Sequence, residues 1–205
     1  MVRFDHLVMT APDLDTGRRY VEDILQLPLL TGGQHLAMGT HNAVLALEHG
    51  GYIEVIAVDP SLNSPSHPRW FDLDSPPDTP TLRTWVAAID DWSHFLGRGY
   101  PFPEEAMALS RGELRWEFGL RPNAALGFAG TFPSLIHWQS PGPADTLPKT
   151  AGLNLESLEL IHPDADALGQ SLEQLEIQGV KLILTSGPRP ELKAHLLTPS
   201  GPVTL

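Results

Sequence analysis

A histidine in the first strand-like segment is one of two residues of this chain with clear chemical potential. His6 lies in the run Val2-Arg3-Phe4-Asp5-His6-Leu7-Val8-Met9. Alternate side chains of a β-strand face the same side, so we expect Phe4, His6 and Val8 to share one face. A half-buried histidine that simply forms a hydrogen bond is the ordinary explanation of such a residue. A metal-ligating histidine is the functional alternative.

The second residue is a glutamate in an apolar strand-like run. Glu54 lies in Gly50-Gly51-Tyr52-Ile53-Glu54-Val55-Ile56-Ala57, and the same alternation places Tyr52, Glu54 and Ile56 on one face. A buried carboxylate without a partner is costly, and a divalent metal ion is a suitable partner for it and for an imidazole. The structural alternative is an ion pair of Glu54 with Arg83 or Arg115.

Both strands belong to a pattern of strand, helix and three strands that the chain repeats. The first module, 1–60, is predicted to contain a strand at 2–10, a helix at about 14–26 capped by Asp13, and strands at about 34–40, 42–48 and 51–58. Gly50-Gly51 between the last two strands is a hairpin signal.

Two further segments repeat this pattern after a Pro/Ser-rich connection at 61–80. The second module, 81–140, has predicted strands at 81–89, 105–110, 114–121 and 132–139, with a short helix at about 90–95. The third, 153–205, has a strand at 153–161, a helix at 164–178 and strands near 180–185, 191–197 and 202–205. We therefore expect an α+β fold in which βαβββ units form curved mixed sheets around a cleft, with a reduced third copy.

Composition excludes several classes of function. A formal charge of −12 and a pI near 5.0 argue against a nucleic-acid partner, whose phosphates repel such a surface. The chain has no cysteine, which excludes disulfides and thiolate chemistry. No apolar run is long enough to span a membrane, and the sequence enters a strand directly, so a cytoplasmic location is predicted.

Several short motifs, in this order, resemble the glyoxalase-like branch of the vicinal oxygen chelate superfamily. The resemblance covers about 1–140 well and 153–205 more loosely. The motifs are Phe4-Asp5-His6-Leu7-Val8, Pro12-Asp13-Leu14-Asp15, Gly32-Gly33-Gln34-His35, Gly39-Thr40-His41-Asn42, Tyr52-Ile53-Glu54-Val55-Ile56, Asp59-Pro60, Pro68-Arg69-Trp70-Phe71, Leu82-Arg83-Thr84-Trp85 and Phe132-Pro133-Ser134-Leu135-Ile136-His137-Trp138.

The resemblance implies metal ligands on the first and last strands of each module. Carried over to this chain, it gives His6, Glu54 and His137 as the ligands of a Zn(II), Ni(II), Mn(II) or Fe(II) ion. The first strand of the second module offers only Thr84. His35 is the predicted catalytic acid or base, whereas turn chemistry is the preferred explanation of Gly39-Thr40-His41-Asn42.

Two functions are therefore compatible with the sequence. One is a metal-dependent enzyme with isomerase or lyase chemistry on a small oxygen-rich substrate. The other is a metal-free protein that binds or sequesters a small aromatic or amphiphilic ligand in the same cleft. Arg69 and Arg115 are candidates for holding an anionic substrate. The third module is expected to cover a sheet edge or to mediate self-association, as in a homodimer.

Overall fold

The first 60 residues form half of a large curved sheet in the structure, a computed structural model that describes all 205 residues. Its elements are β1 (Val2–Thr10), α1 (Leu14–Leu25), β2 (Leu30–His35), β3 (Thr40–Ala46) and β4 (Tyr52–Val58). The predicted helix and its cap are confirmed, because the Asp13 side chain accepts a hydrogen bond from the backbone N of Thr16 at 2.8 Å. The predicted second strand is displaced, because residues 36–39 form a turn that ends at Gly39 with φ of 61°.

The other half of this sheet comes from the second module. Its strands are β5 (Thr81–Ile89), β6 (Glu105–Arg111), β7 (Leu114–Leu120) and β8 (Ser134–Trp138). The short helix predicted at 90–95 is wrong, because this segment forms only turns. The turns end at Gly97, whose φ of 69° does not permit a right-handed helix to continue through it.

Strand pairing joins the two halves into one eight-stranded sheet. The strand order is β2-β3-β4-β1-β5-β8-β7-β6, so β2 and β6 are its edges. Each half contains one parallel pair, β1 with β4 and β5 with β8, and the halves meet through the antiparallel pair of β1 and β5. The sheet curves, and its two faces pack into separate hydrophobic clusters. This confirms the predicted fold of curved mixed sheets around a cleft.

A β-bulge in β1 changes which residues face the cleft. The register pairs Phe4 with Ala87 and His6 with Val86, so Asp5 has no residue opposite it. Phe4 therefore packs in the larger cluster on the convex face, whereas Val8 packs in the smaller cluster on the concave face. The prediction that Phe4, His6 and Val8 share one face is wrong for Phe4. The bulge instead turns the Asp5 side chain toward the His6 ring, with which it forms a hydrogen bond.

The third module has its own sheet. Its elements are β9 (Asn154–His162), α3 (Ala165–Glu173), β10 (Leu182–Ser186), β11 (Glu191–Thr198) and β12 (Gly201–Thr204), preceded by the four-residue helix α2 (Pro143–Thr146). The element order is the predicted one, although α3 is shorter than expected and the strands pair in the order β10-β9-β11-β12.

The third module packs on the convex face of the large sheet. Strand β11 contacts β5, and apolar side chains of β9, α3 and β11 join the convex hydrophobic cluster. The backbone N of Phe4 also donates to the carbonyl of Gln178 at 2.8 Å. This module therefore covers a face of the sheet rather than one of its edges, and it does so where the second half lacks a helix.

None of the helices combines the length and the apolar character needed to cross a lipid bilayer.

Candidate functional site

A small cavity lies against the concave face of the eight-stranded sheet. Its apolar wall is mainly aromatic and comes from both halves and from the connection between them. Its polar residues are few and nearly all belong to the first half. The lining residues are His6, His35, Asn42, Tyr52, Glu54, Trp70, Phe71, Arg111, Leu114, Trp116, Phe118, Ile136, Trp138 and Pro143.

His6 is buried at the base of this cavity and is held from both sides. Its Nδ1 forms a 2.6 Å hydrogen bond with Asp5 Oδ1, and its Nε2 lies 3.5 Å from Glu54 Oε2. Its ring stacks on Tyr52 with centroids 4.4 Å apart. Burial alone lowers the pKa of His6, but the hydrogen bonds and negative charges of Asp5 and Glu54 outweigh it and raise that pKa to about 9. His6 is therefore an imidazolium at neutral pH, with Nδ1–H donating to Asp5.

Glu54 is the buried carboxylate opposite His6. Its Oε1 accepts a hydrogen bond from Asn42 Nδ2 at 2.5 Å, whereas its Oε2 has only the longer contact with His6. Burial raises the pKa of Glu54, but the hydrogen bonds and charge of His6 and Asn42 prevail and lower it to about 2. The predicted ion pair of Glu54 with Arg83 or Arg115 does not form, because its cationic partner is His6.

His35 lies at the end of β2 and is buried beside the edges of Trp70 and Trp116. Arg111 Nη1 donates to His35 Nε2 at 3.1 Å, which leaves His35 Nδ1–H to donate to Thr40 Oγ1 at 3.1 Å. Burial lowers the pKa of His35 to about 4, and the positive charge of Arg111 contributes to the decrease. His35 is thus a neutral imidazole whose two nitrogens are both engaged.

Arg111 connects the two edges of the sheet. It lies at the end of β6, and its Nη1 also donates to Asn42 Oδ1 at 2.9 Å on β3. Its side chain passes directly over Gly33 of β2, where an added Cβ would lie 2.9 Å from Arg111 Cδ. The Asn42 amide therefore bridges Arg111 and Glu54, and a continuous polar network extends from Asp5 to Thr40.

His137 lies on the opposite face of β8 from the cavity. Its Nδ1 forms a 3.1 Å contact with Glu117 Oε2 on β7, and Trp92 Nε1 donates to the same oxygen at 2.9 Å. The neighbouring residues Ile136 and Trp138 are the ones that line the cavity. The structure therefore brings together His6, Glu54 and the predicted catalytic residue His35, but not His137.

The second half offers no replacement for His137 as a metal ligand. Val86 is paired with His6 in the register, and Ile136 and Trp138 are the β8 residues at the cavity. Thr84 is buried, and its hydroxyl donates to the carbonyl of Gly130 at 2.9 Å. No group of three or more His, Asp or Glu side chains is arranged to hold a metal ion. Catalytic zinc sites usually take three protein ligands, so these residues do not fit the predicted metal centre.

Four residues of the polar network, Asp5, Asn42, Arg111 and Thr40, are absent from the predicted site. Asp5 could have been suspected from its position next to His6, but only the bulge turns it toward the imidazole. Turn chemistry is the explanation that the sequence favours for Asn42, but this residue lies inside β3. Arg111 carries no signal in the sequence, because its position depends on the approach of β6 to β2. The two arginines predicted to hold an anion are elsewhere: Arg69 pairs with Asp74, and Arg115 donates to backbone carbonyls.

The fold and this site define a glyoxalase-like domain. A family model described as "Glyoxalase-like domain" matches residues 4–176, so the chain belongs to that family within the vicinal oxygen chelate superfamily. Among solved structures, the chain is similar to a hypothetical protein from Staphylococcus aureus, with a TM-score of 0.54 and 14% identity over 100% of this chain and 84% of that one. That similarity concerns the fold alone. No curated protein gives a match.

Proposed function

We propose that this protein binds a small molecule with a hydroxyl group and an aromatic or otherwise apolar body, and that it does so without a protein-held metal ion. The observation that carries the proposal is the arrangement of His6 Nε2 and Glu54 Oε2, which face each other 3.5 Å apart beside an aromatic cavity.

A ligand hydroxyl has the chemistry that this pair requires. His6 Nε2–H is a donor and Glu54 Oε2 is an acceptor, and a separation of 3.5 Å is long for a direct hydrogen bond between them. An oxygen placed about 2.8 Å from both atoms would accept from His6 and donate to Glu54. Asp5 and Asn42 hold the two side chains, so this donor and acceptor are in position before the ligand binds.

The walls of the cavity favour a flat apolar body for the ligand. Six aromatic side chains line the cavity, contributed by both halves and by the connection between them: Tyr52, Trp70, Phe71, Trp116, Phe118 and Trp138. Rings of this kind pack against another ring by stacking or by edge-to-face contact.

A metal-dependent isomerase or lyase acting on an oxygen-rich substrate is the second candidate. It is supported by the family, and by the closeness of His6 to Glu54, which supplies two of its three predicted ligands. This second candidate has less support, because His137, its third predicted ligand, pairs with Glu117 on the other face of the sheet.

Binding of paired phenols to the chelator-treated protein tests the first proposal. We expect 4-methylphenol to quench tryptophan fluorescence with saturation, and 4-methylanisole, whose oxygen cannot donate, to bind at least tenfold more weakly. Glu54→Gln should lower the affinity for 4-methylphenol about tenfold or more, because a hydrogen bond to a charged group contributes about 1.5–3 kcal/mol. The matched variant Glu117→Gln, which changes the same charge on the opposite face, should bind as the wild type does.

Metal content separates the two candidates. The untagged wild type, His6→Ala and His137→Ala should contain similar, substoichiometric amounts of divalent metal. One equivalent in the wild type that is lost from both variants, together with loss of phenol binding on chelation, would replace the binding proposal by the metal-dependent enzyme.

A further inference from the structure

Arg111 is a cation in the cavity wall that has no acidic partner. Its two hydrogen-bond acceptors are the neutral groups His35 Nε2 and Asn42 Oδ1, both served by Nη1. No carboxylate lies within ion-pair distance of it, whereas Arg18, Arg69 and Arg83 are each paired with an acidic side chain.

The unused donors of Arg111 form one edge of its guanidinium group. Nε and Nη2 make no hydrogen bond within the protein, and they lie side by side on the same edge of the planar group. That edge matches the two oxygens of a carboxylate, which accept a pair of parallel hydrogen bonds from arginine. The bonds through Nη1 fix the guanidinium in place before any ligand arrives.

A second donor without a partner borders the same cavity. Trp70 is buried, and its Nε1 has no hydrogen-bond partner. Trp70 and Arg111 both pack beside His35, which the Trp70 ring approaches edge-on at 5.1 Å. Buried donors are normally paired, so this part of the wall lacks one hydrogen-bond acceptor.

We propose that the ligand of this cleft is an aromatic carboxylate, and that Arg111 binds its carboxylate group. The inference rests on the proposed function, since it adds the anionic group to the same hydroxyl-bearing ligand. The hydroxyl is held by His6 and Glu54, the ring lies between the aromatic walls, and the carboxylate pairs with the free edge of Arg111. Asp5 and Glu54 both contact the His6 imidazolium, whereas Arg111 contacts neither carboxylate, so the guanidinium has no direct counterion in the protein.

Calorimetric titration with two nearly isosteric ligands tests the inference. At pH 7, 4-hydroxybenzoate is an anion and 4-hydroxybenzamide is neutral, so their comparison isolates the charge. We expect the wild type to bind the benzoate at least tenfold more tightly. Arg111→Gln should remove this preference, because the affinity for the benzoate should fall at least tenfold more than that for the benzamide. Arg111→Lys should retain part of the preference, because lysine keeps the charge but loses the fork geometry.

Arg115→Gln is the matched control, since it removes the same charge from an exposed side chain of β7 that has no acidic partner. It should keep the wild-type preference. Equal wild-type affinities for the two ligands, or a preference that survives in Arg111→Gln, would overturn the inference and leave the proposed function standing. Tighter binding of phenyl phosphate than of 4-hydroxybenzoate would also overturn the assignment of a carboxylate. Failure of both neutral and anionic phenols to bind the wild type would refute the proposed function itself.

Discussion

The two halves of the eight-stranded sheet share a strand order but not a chemistry. In the first half, His6 and Glu54 occupy adjacent parallel strands and form a buried ion pair. In the second half, the side chains of β5 and β8 that face inward are Val86, Ala88, Ile136 and Trp138. The ionisable pair of the second half, Glu117 and His137, lies on the other face and is partly exposed.

This difference shows that repeating an architecture does not repeat a site. The first half supplies the fixed charges, and the second half supplies much of the apolar wall together with one cation at its far edge, Arg111. The ligand proposed above matches this distribution, since it is polar at each end and flat and apolar between the two ends. Removal of a buried charge from the first half should therefore lower the unfolding free energy far more than removal of its counterpart from the second half.

The largest contrast is expected between equivalent truncations of the two acidic residues. Glu54→Ala leaves the His6 imidazolium buried with only Asp5 as a partner, and breaking a buried pair in this way costs about 3–5 kcal/mol of unfolding free energy. Glu117→Ala breaks a pair that is 27% exposed on both sides, which should cost less than about 1 kcal/mol. Urea unfolding at pH 7 measures both values. Equal losses would show that the two halves are not electrostatically different.

The next effect is a change of stability with pH that originates in two histidines of the first half. Folding raises the pKa of His6 from 6.5 to about 9, so its contribution is complete below pH 6.5 and is lost as the pH rises through 9. Folding lowers the pKa of His35 from 6.5 to about 4, so its contribution is present above pH 6.5 and is lost as the pH falls through 4. Each of these changes, the acid limb below pH 6.5 and the alkaline limb above it, corresponds to roughly 3 kcal/mol of unfolding free energy.

Replacement of His35 separates these two limbs. His35→Gln should reduce the loss of stability between pH 6.5 and 4, because glutamine can still accept from Arg111 but takes up no proton. The limb between pH 6.5 and 9 should stay as in the wild type and serves as the internal control. Urea unfolding across the range measures both. An acid limb that is unchanged in the variant would mean that His35 is not a buried neutral imidazole.

The smallest contrast concerns two tryptophans that donate to carboxylates on opposite faces. Trp138→Phe removes the 2.9 Å hydrogen bond to Asp5 Oδ2 and leaves that buried oxygen without a partner, at a cost of about 1–3 kcal/mol. Trp92→Phe removes a bond of the same length to the partly exposed Glu117, where water can replace the donor, and should cost less than about 1 kcal/mol. Thermal unfolding of both variants provides the comparison, and a reversed order would contradict it.

Local patterns in the sequence predict much of the fold. The alternation in β4 places Tyr52, Glu54 and Ile56 together, and the structure confirms this. The Asp13 cap and the apolar spacing of Val21 and Leu25 predict α1 for the same reason, since both depend on residues within a few positions of each other. His35 lines the cleft as predicted, although the strand predicted at 34–40 is displaced to Leu30–His35.

Features that depend on distant parts of the chain could not be predicted. The face of His137 was ambiguous, because apolar residues occupy both faces of β8 and its alternation gives no direction. The bulge at Asp5 appears only when β1 pairs with β5, seventy-five or more positions along the chain. Arg111 reaches His35 only because the two edge strands approach each other after the whole sheet has curved.

The unpaired residue in β1 also has an evolutionary consequence. Loss of Asp5 by a single-codon deletion would restore regular pairing between β1 and β5 and remove the carboxylate that holds the imidazolium. A relative with a one-residue gap at this position would keep the scaffold but lose the support of its central histidine.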